Sequence, residues 1–254
     1  AHDHLAMGAV AKVGVDLTGI SGTRNVLAAV RAWVDAQPAD APLRGHDWML
    51  ASFEEGTPRR EWLDEITGDR PMALFSADAH DLWFNTAAMR ASGITADTPD
   101  PVPGAQYYVR DADGVPTGHA VEGAAALAIA SALGYFSAEG VAEAMKLTLD
   151  RAAEWGITSY SEAGILLGDN QDAAEPVYRQ LIERDLAGDL PVRVVGSVWT
   201  RNNTDDPQHV VDTLREWNAR LRSEHVTVSV TKMWADGTMM SGGALLLEPF
   251  RGRD

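Results

Sequence analysis

Cysteine is absent from the chain of 254 residues. This absence excludes a disulfide framework and a thiolate metal site, so any bound metal must be held by nitrogen and oxygen ligands. Long apolar runs are also missing, since the stretch Ala124–Leu133 is too short and too rich in alanine to span a bilayer. We therefore expect no membrane partner, and the cellular compartment stays open.

Basic residues are scarce. Lysine and arginine number 21 against 37 aspartates and glutamates, which gives a formal net charge of -16 at pH 7. A charge of this sign opposes binding to phosphate backbones and to anionic membrane surfaces, so we expect no nucleic-acid partner. The composition is otherwise that of a globular protein with a large core, because 45% of the residues are hydrophobic and 23% are charged.

The two ends of the sequence resemble cut ends. The first residue is Ala1 rather than an initiator methionine, and the last four, Arg251–Asp254, directly follow an apolar run. We therefore expect the natural sequence to continue on both sides, which leaves any targeting signal unread.

The second half of the sequence alternates between helical and strand patterns. Helices are predicted where apolar residues recur at helical spacing after a capping residue, and strands where short apolar runs follow glycine or proline. The predicted helices are 137–155, 172–186 and 206–221, and the predicted strands are 156–162, 191–199 and 226–234. Such alternation is typical of βαβ units around a parallel sheet.

A further strand is predicted at the start of the chain, ending at His2 and His4, with a helix at 23–37 after it. The series then has four strands, whereas a closed (β/α)8 barrel needs eight in about 250 residues. The sequence therefore predicts an α/β fold that is a partial (β/α)8 TIM-type barrel, made of the first four β/α units and incomplete at both ends.

Residues 44–133 interrupt this series. They predict a strand at 48–53, a helix at 58–66, a strand at 71–76, a helix at 86–91 and a hairpin at 107–119. We therefore divide the chain into a first barrel unit at 1–43, an inserted α+β subdomain at 44–133, and barrel units two to four at 134–254.

His2 and His4 are candidate metal ligands. In an extended segment, side chains two residues apart project to the same side, so two imidazoles can grip one cation while Asp3 points away. Neutral imidazoles suit zinc and similar transition metals. The pattern is short, and two solvated histidines near a terminus would look the same.

Four motifs together carry a resemblance to a known family. They are His2-x-His4-Leu5, then His80, Trp83, Asn85 and Thr86, then Gly156–Ser159, and finally Lys232-x-x-Ala235-Asp236-Gly237 with the run Ala244–Pro249. In this order the chain resembles the metal-dependent amidohydrolase superfamily, in particular amidohydrolase family 3, which includes N-substituted formamide deformylases and exoenzyme regulatory proteins. Departures from its pattern are Glu162 where Asp is usual, Ala79 where glycine is common, and Thr238–Met240 in place of a small, Leu-rich loop.

The resemblance implies hydrolysis of a C–N bond in a small amide-like substrate, through a metal-activated water. It implies zinc or a similar divalent metal, as one or two ions, with His2, His4 and Lys232 as ligands. Burial lowers the pKa of a lysine, and a neutral amine can react with carbon dioxide to give a carbamate that bridges two ions. The resemblance also implies that further histidine ligands and a general-base Asp lie beyond residue 254.

Lys232 is the only one of the three lysines that ends an apolar strand. Its alternative role is an ion pair at the strand end, with Asp236 as a partner. Lys232 shares strand parity with Val226, Val228 and Val230. If Lys232 points into the barrel, the hydroxyl-bearing residues Thr227, Ser229 and Thr231 face the helices, where apolar side chains are usual; a β-bulge would shift this register.

The resemblance also places five residues near a substrate. His80, Trp83 and Asn85 come from the insertion, while Glu162 and Asp236 end strands. The alternatives stay open: Trp83 can pack the core of the insertion, His80 can bond to nearby backbone, and the two acids can pair with arginines. We expect solvated or capping roles for the remaining histidines His46, His209 and His225, and a surface position for His119.

A second hypothesis comes from another class of function. The chain could be a non-catalytic segment, or part of a degenerate homologue that binds a ligand or a protein partner. Because half a barrel would expose strand edges and apolar surface, we expect it to pair with the remainder of the barrel or with another copy.

Overall fold

A computed structural model describes residues 2–53, 56–165, 174–200, 206–233 and 246–248. The chain forms two compact units. The discontinuous unit combines Ala1–Leu5 with Leu149–Asp254, and the continuous unit is Ala6–Thr148. No helix in the described ranges has the length and apolar character needed to cross a membrane.

The two units divide the chain differently from the three-part organisation predicted above. Residues 6–43, predicted within the first barrel unit, belong to the continuous unit together with the predicted insertion at 44–133. Residues 134–148 belong there as well. The assignment of barrel units within the whole protein stays a prediction.

The described residues contain ten strands and eight helices. The strands are β1 (His2–Asp3), β2 (Val15–Asp16), β3 (Leu43–Trp48), β4 (Met72–Ser76), β5 (Leu82–Phe84), β6 (Tyr107–Arg110), β7 (Pro116–Val121), β8 (Ser159–Glu162), β9 (Arg193–Thr200) and β10 (Val226–Met233). The helices are α1 (Leu5–Val10), α2 (Thr23–Asp35), α3 (Arg60–Thr67), α4 (Thr86–Ala91), α5 (Gly123–Ala132), α6 (Ala138–Glu154), α7 (Glu175–Leu186) and α8 (Pro207–Arg220). A 3-10 turn spans Leu50–Ser52.

A six-stranded mixed sheet forms the continuous unit, in the order β2-β3-β4-β5-β7-β6. The first three of these strands run parallel, and the other three are added by antiparallel pairing. Helix α2 buries Val26, Val30 and Val34, which lie on one face because they are spaced four residues apart. Each fully buried valine of this kind stabilises the fold by about 1.5–3 kcal/mol.

Aromatic side chains fill the core beside β3 and β5. The indole N–H of Trp48 donates to the carbonyl of Leu74 at 2.8 Å, and that of Trp83 donates to the carbonyl of Arg59 at 2.9 Å. The ring of Phe53 lies 5.7 Å from Trp48 and 5.2 Å from Trp83, measured between centroids. Trp83 is 0% exposed, so it packs the core of this unit.

An all-parallel sheet of four strands forms the discontinuous unit, in the order β1-β8-β9-β10. Helix α7 precedes β9 and helix α8 precedes β10, as the alternating pattern predicted. Asp206 caps α8 by accepting a hydrogen bond from the backbone N–H of Gln208 at 3.0 Å, with Pro207 in the first turn, also as predicted. The mixed α/β class is therefore confirmed for this chain.

One strand was predicted in the wrong place. Residues 48–53 are not a strand, because β3 ends at Trp48 and Leu50–Ser52 is a 3-10 turn. Strand β3 was not predicted because the polar residues His46 and Asp47 interrupt its apolar pattern. It is nevertheless an internal strand, paired with β2 on one side and β4 on the other.

Four further elements were not predicted: the short helix α1 and the two-residue strand β2, and then strand β5 and helix α5. Strand β5 has three residues, too few to show a period, and Asn85 ends it by capping α4. Helix α5 is built largely of alanine and is apolar all round, so it carries no helical periodicity.

Candidate metal centre

The carboxyl ends of the four parallel strands in the discontinuous unit meet at one edge of the sheet. Strand β1 pairs with β8 so that Asp3 lies beside Glu162, and β10 pairs with β9 so that Lys232 lies beside Trp199. His4 is the first residue after β1. The ends of parallel strands are the usual place for a site in α/β folds, and His4 and Lys232 both lie there.

Gly164, just beyond β8, lies next to both predicted ligands. Its carbonyl oxygen is 2.8 Å from Nδ1 of His4. On its other side, a Cβ added to Gly164 would lie 3.3 Å from Cγ of Lys232 and 3.9 Å from Oγ of Ser197. The structure therefore brings His4 and Lys232 to the same residue, while their role as ligands of one centre stays a prediction.

The bond to Gly164 fixes the tautomer of His4. Because a carbonyl oxygen only accepts, Nδ1 carries a proton, and in the neutral imidazole the lone pair is then on Nε2. Histidine ligands of metals usually donate their other ring N–H to a carbonyl or carboxylate in this way. His4 therefore fits a metal ligand. The backbone of His2 pairs with Ser161, while its side chain lies outside the description.

The face of the sheet that packs on the helices is marked by Gly196 on β9. A Cβ at Gly196 would lie 2.4 Å from Cε1 of Tyr178 on α7, so the sheet and helix touch at this point. Val228 pairs with Gly196 and is 0% exposed. The early part of β10 therefore faces the helices.

A β-bulge reverses this orientation before Lys232. The register shifts between Val228 and Val230, which leaves Ser229 as the extra residue, and Val230 then pairs with Ser197. Val230 is 43% exposed although it shares sequence parity with a fully buried valine. Lys232 follows two residues later and so lies on the face opposite the helices. The structure therefore contains a β-bulge of the kind that shifts the register of Lys232.

Of the two acidic residues predicted to contact the substrate, Glu162 is buried in the sheet. Glu162 is 2% exposed, and its charge adds to burial in raising the pKa of Tyr178. Its carboxylate is therefore close to Tyr178, on the helix side of the sheet. Asp236 lies outside the described residues.

His80, in the continuous unit, forms a close pair with Glu122. Nδ1 of His80 is 2.7 Å from Oε2 of Glu122, and the imidazole is 43% exposed. Burial lowers the pKa of His80, but the hydrogen bond and charge of Glu122, with the charges of Asp78 and Asp81, outweigh it and raise the pKa. His80 therefore binds a side-chain acid rather than backbone.

Asn85 is fully enclosed. Its Oδ1 accepts from the backbone N–H of Ala88 at 2.7 Å and of Met72 at 3.1 Å, and its Nδ2 donates to Thr67 and Arg70, each at 2.8 Å. With 0% exposure, Asn85 caps α4 and joins it to β4. Its contacts in this chain are structural.

The buried His119 pairs with the partly exposed Asp81, which the sequence did not predict. Oδ2 of Asp81 accepts from Nε2 of His119 at 2.9 Å, and Oδ1 accepts from the backbone N–H of Glu122 at 3.0 Å. Burial raises the pKa of Asp81, but these hydrogen bonds outweigh it and the pKa is lowered. His119 is 4% exposed, so the predicted surface position is wrong. Its place on a strand opposite Trp83 explains its burial.

Comparisons with known proteins identify relatives that match nearly the whole chain. The exoenzymes regulatory protein AepA of Pectobacterium carotovorum subsp. carotovorum is 25% identical over 255 residues, which cover 98% of this chain and 53% of that protein. The putative amidohydrolase YtcJ of Bacillus subtilis (strain 168) is 29% identical over 254 residues, covering 98% of this chain and 45% of that protein. The chain thus spans about half the length of the curated relatives that it matches.

A solved structure has a similar fold. The crystal structure of an uncharacterized metal-dependent hydrolase from Pyrococcus horikoshii OT3 matches with a TM-score of 0.65 at 18% identity, covering 98% of this chain and 44% of that one. The sequence pattern that defines the amidohydrolase family matches residues 1–253, which is nearly the whole sequence. The chain therefore belongs to the amidohydrolase family.

Proposed function

We propose that this chain is the first part of a metal-dependent hydrolase that cleaves a C–N bond in a small amide-like substrate. The observation that carries the proposal is the meeting of His4 and Lys232 at Gly164, with the His4 ring in the tautomer that suits a ligand. Four parallel strands with their carboxyl ends at one edge support the further proposal of a partial (β/α)8 barrel.

In this proposal His2, His4 and Lys232 hold zinc or a similar divalent metal, as one or two ions. The bound metal supplies Lewis acidity, which polarises the scissile carbonyl and lowers the pKa of water. Lys232 acts as its carbamate: the neutral amine nitrogen forms a bond to the carbon of carbon dioxide and releases a proton. The anionic product then replaces an ammonium that would repel the ion.

The proposed substrate contacts differ in their support. The imidazole of His80 is half-exposed and oriented by Glu122, which suits a group that meets a substrate. Burial of Trp83, Asn85 and Glu162 favours packing roles for these three.

The remaining ligands and the general-base Asp come, in this proposal, from the part of the protein beyond this chain. The length of the relatives supports it, since this chain covers about half of each. The partner that completes the barrel is therefore the rest of the same protein, with a second copy as the alternative.

Metal content tests the proposal. The whole protein is produced in zinc-supplemented medium and its bound metal is measured, beside the variants His4→Asn and Lys232→Met. We expect both variants to lose metal and activity on amide substrates, while His209→Gln, on helix α8, keeps both. Peptide mass measured under conditions that preserve carbamates should show carbon dioxide on Lys232. Unchanged metal content in His4→Asn would overturn the proposal.

A non-catalytic role is the second candidate, because one relative over nearly the whole chain is named a regulatory protein. The continuation of the sequence separates the two. Strand-end histidines and a late Asp beyond residue 254 favour the hydrolase, and their absence favours a binding module.

A further inference from the structure

A second group of metal-ligand side chains lies in the continuous unit, at the carboxyl ends of β2 and β3. Asp16 is the last residue of β2 and pairs laterally with His46 on β3, and Asp47 follows. One ligand atom from each of the three lies within 4.8 Å of the others. Nδ1 of His46 is 2.9 Å from Oδ2 of Asp47 and 3.8 Å from Oδ1 of Asp16. The 2.9 Å separation is that of a hydrogen bond, and the 3.8 Å separation is close to the roughly 3.4 Å expected between two ligands of a tetrahedral zinc ion.

Hydrogen bonds hold both carboxylates in place. The backbone N–H of Thr18 donates to Oδ1 of Asp16 at 2.8 Å, and its hydroxyl donates to Oδ2 of Asp47 at 3.0 Å. The ammonium of Lys12 pairs with the other oxygen of Asp47, Oδ1. Lys12 therefore neutralises part of the charge while binding a different oxygen of Asp47 from the one that contacts His46.

Both acids are charged at neutral pH. Hydrogen bonds from Thr18 lower the pKa of Asp16. Burial raises the pKa of Asp47, but hydrogen bonds from Lys12, His46 and Thr18 outweigh it, so its pKa is also lowered. Metal ligands need this deprotonated form.

The buried histidine distinguishes this group from an ordinary acidic patch. The His46 side chain is 8% exposed, so the predicted solvated role is wrong, and its ring is directed at both carboxylates from within the sheet. The backbone N–H of Leu17 donates to the carbonyl of His46 at 3.0 Å, which fixes the two strand ends together. The ligand atoms are thus positioned by strands rather than by a loose loop.

We propose that Asp16, His46 and Asp47 bind one divalent transition-metal ion of the zinc type. Imidazole with two carboxylates selects zinc, manganese, iron or cobalt over calcium and magnesium, which prefer oxygen alone. In this structure Nδ1 of His46 bonds to Oδ2 of Asp47, and because a carboxylate only accepts, Nδ1 carries the proton. Binding an ion requires that proton to leave Nδ1, so that the lone pair can reach the metal. Three protein ligands leave positions for water, so the site is open.

Zinc titration of the metal-free whole protein tests this site. Bound zinc is measured after gel filtration for the parent and for Asp16→Asn, His46→Gln and His225→Gln. We expect the first two variants to bind at least about tenfold more weakly at one equivalent. His225→Gln is the matched control, since His225 also bonds an aspartate, at 2.7 Å, but belongs to no group of three ligands in the described residues.

A variant that removes a positive charge beside the site should change the zinc affinity in the opposite direction. Lys12→Gln removes a cation beside Asp47, so zinc affinity should rise several-fold. A purely structural ion network predicts lower stability and no change in zinc binding, which would overturn the proposal.

The test keeps this site distinct from the centre at His4. His4→Asn should remove a different equivalent of zinc, so each proposal can fail alone. Asp16 has a side chain that is 62% exposed, so Asp16→Asn leaves the core intact and keeps the experiment decisive if His46→Gln unfolds. Parent-like zinc binding in Asp16→Asn would overturn the inference.

Discussion

Gly164 is the residue on which the proposed metal centre most depends. Its carbonyl accepts the hydrogen bond from His4, and its Cα lies against the side chain of Lys232. Its φ of +116° is a backbone conformation that residues other than glycine rarely adopt. No motif drew attention to it, because a single glycine after a strand is common. Spacing predicted the ligands, but only coordinates show the residue that both of them touch.

Replacing Gly164 with alanine should disturb the centre. The strained φ and the contact with Lys232 together cost about 1–3 kcal/mol of unfolding free energy, and zinc binding should weaken. Urea unfolding and bound zinc are measured together. Gly156→Ala is the control, since Gly156 also has positive φ, +71°, but nothing within 4 Å of an added Cβ. Equal losses of zinc in both variants would contradict the prediction.

The histidine pairs could not be predicted from sequence. His119 and Asp81 are 38 positions apart, and His80 and Glu122 are 42 apart. Their pairing depends on the antiparallel strand β5, whose three residues are too few to be predicted from sequence periodicity. The motif containing His80 was visible, whereas its partner was not.

At the scale of the element, the bulge in β10 matters most. Strict alternation would place Lys232 on the helix side with Val228, which conflicts with its predicted role as a ligand. The extra residue Ser229 resolves it, since it changes which side chains each face carries.

Alanine substitutions of two valines in β10 test the bulge through their effect on the free energy of unfolding. Val228→Ala removes buried methyl groups against the helices and should cost about 1.5–3 kcal/mol, whereas Val230→Ala, at 43% exposure, should cost less than about 1 kcal/mol. Denaturant unfolding of both variants checks this. Equal costs would mean that both valines face the same side.

Helices α7 and α8 are joined by charge. Glu175 pairs with Arg179 one turn along α7 and with Arg220 at the end of α8. The Arg220 hydrogen bond, helped by Arg179, lowers the pKa of Glu175 to about 2. The ionised form is thus favoured by folding.

This pair predicts a pH-dependent difference between the parent and Glu175→Gln. A depressed pKa stabilises the fold above the unfolded value, 4.5, and that stabilisation is lost as pH falls toward 2. The parent should be the more stable by up to about 1 kcal/mol at pH 7, because the arginines are solvent-screened. Urea unfolding at pH 7 and pH 3 checks it, with Glu216→Gln as control. A difference that grows at low pH would contradict it.

At the scale of the whole molecule, the alternating second half was readable and the first half less so. Capping residues such as Asp206 and the regular spacing of apolar residues predicted the three helices and three strands after residue 137. Both signals are local in the sequence, so they can be read without the structure. Residues 6–43 were assigned to the barrel series because strand β2 has only two residues. Its pairing with β3 is a long-range property, so the continuous unit emerged only from the structure.

The chain alone should self-associate. Val195 and Val230, on the face of the parallel sheet opposite the helices, are 37% and 43% exposed, and all-parallel sheets are normally covered on both faces. Gel filtration with light scattering should give a mass above the 27.3 kDa of one chain. The whole protein supplies the comparison, and a single species of 27.3 kDa for the chain alone would contradict the prediction.

The bond between His4 and Gly164 joins positions 160 residues apart, across the whole continuous unit. Closing so long a loop carries an entropic cost, and distant pairings form slowly. On the ribosome, His4 emerges well before the strand that receives it, so we expect β1 to dock after the intervening residues have folded. For the proposed metal centre, capture of the ion would then be a late step of biogenesis, reached only by polypeptides already translated through β10.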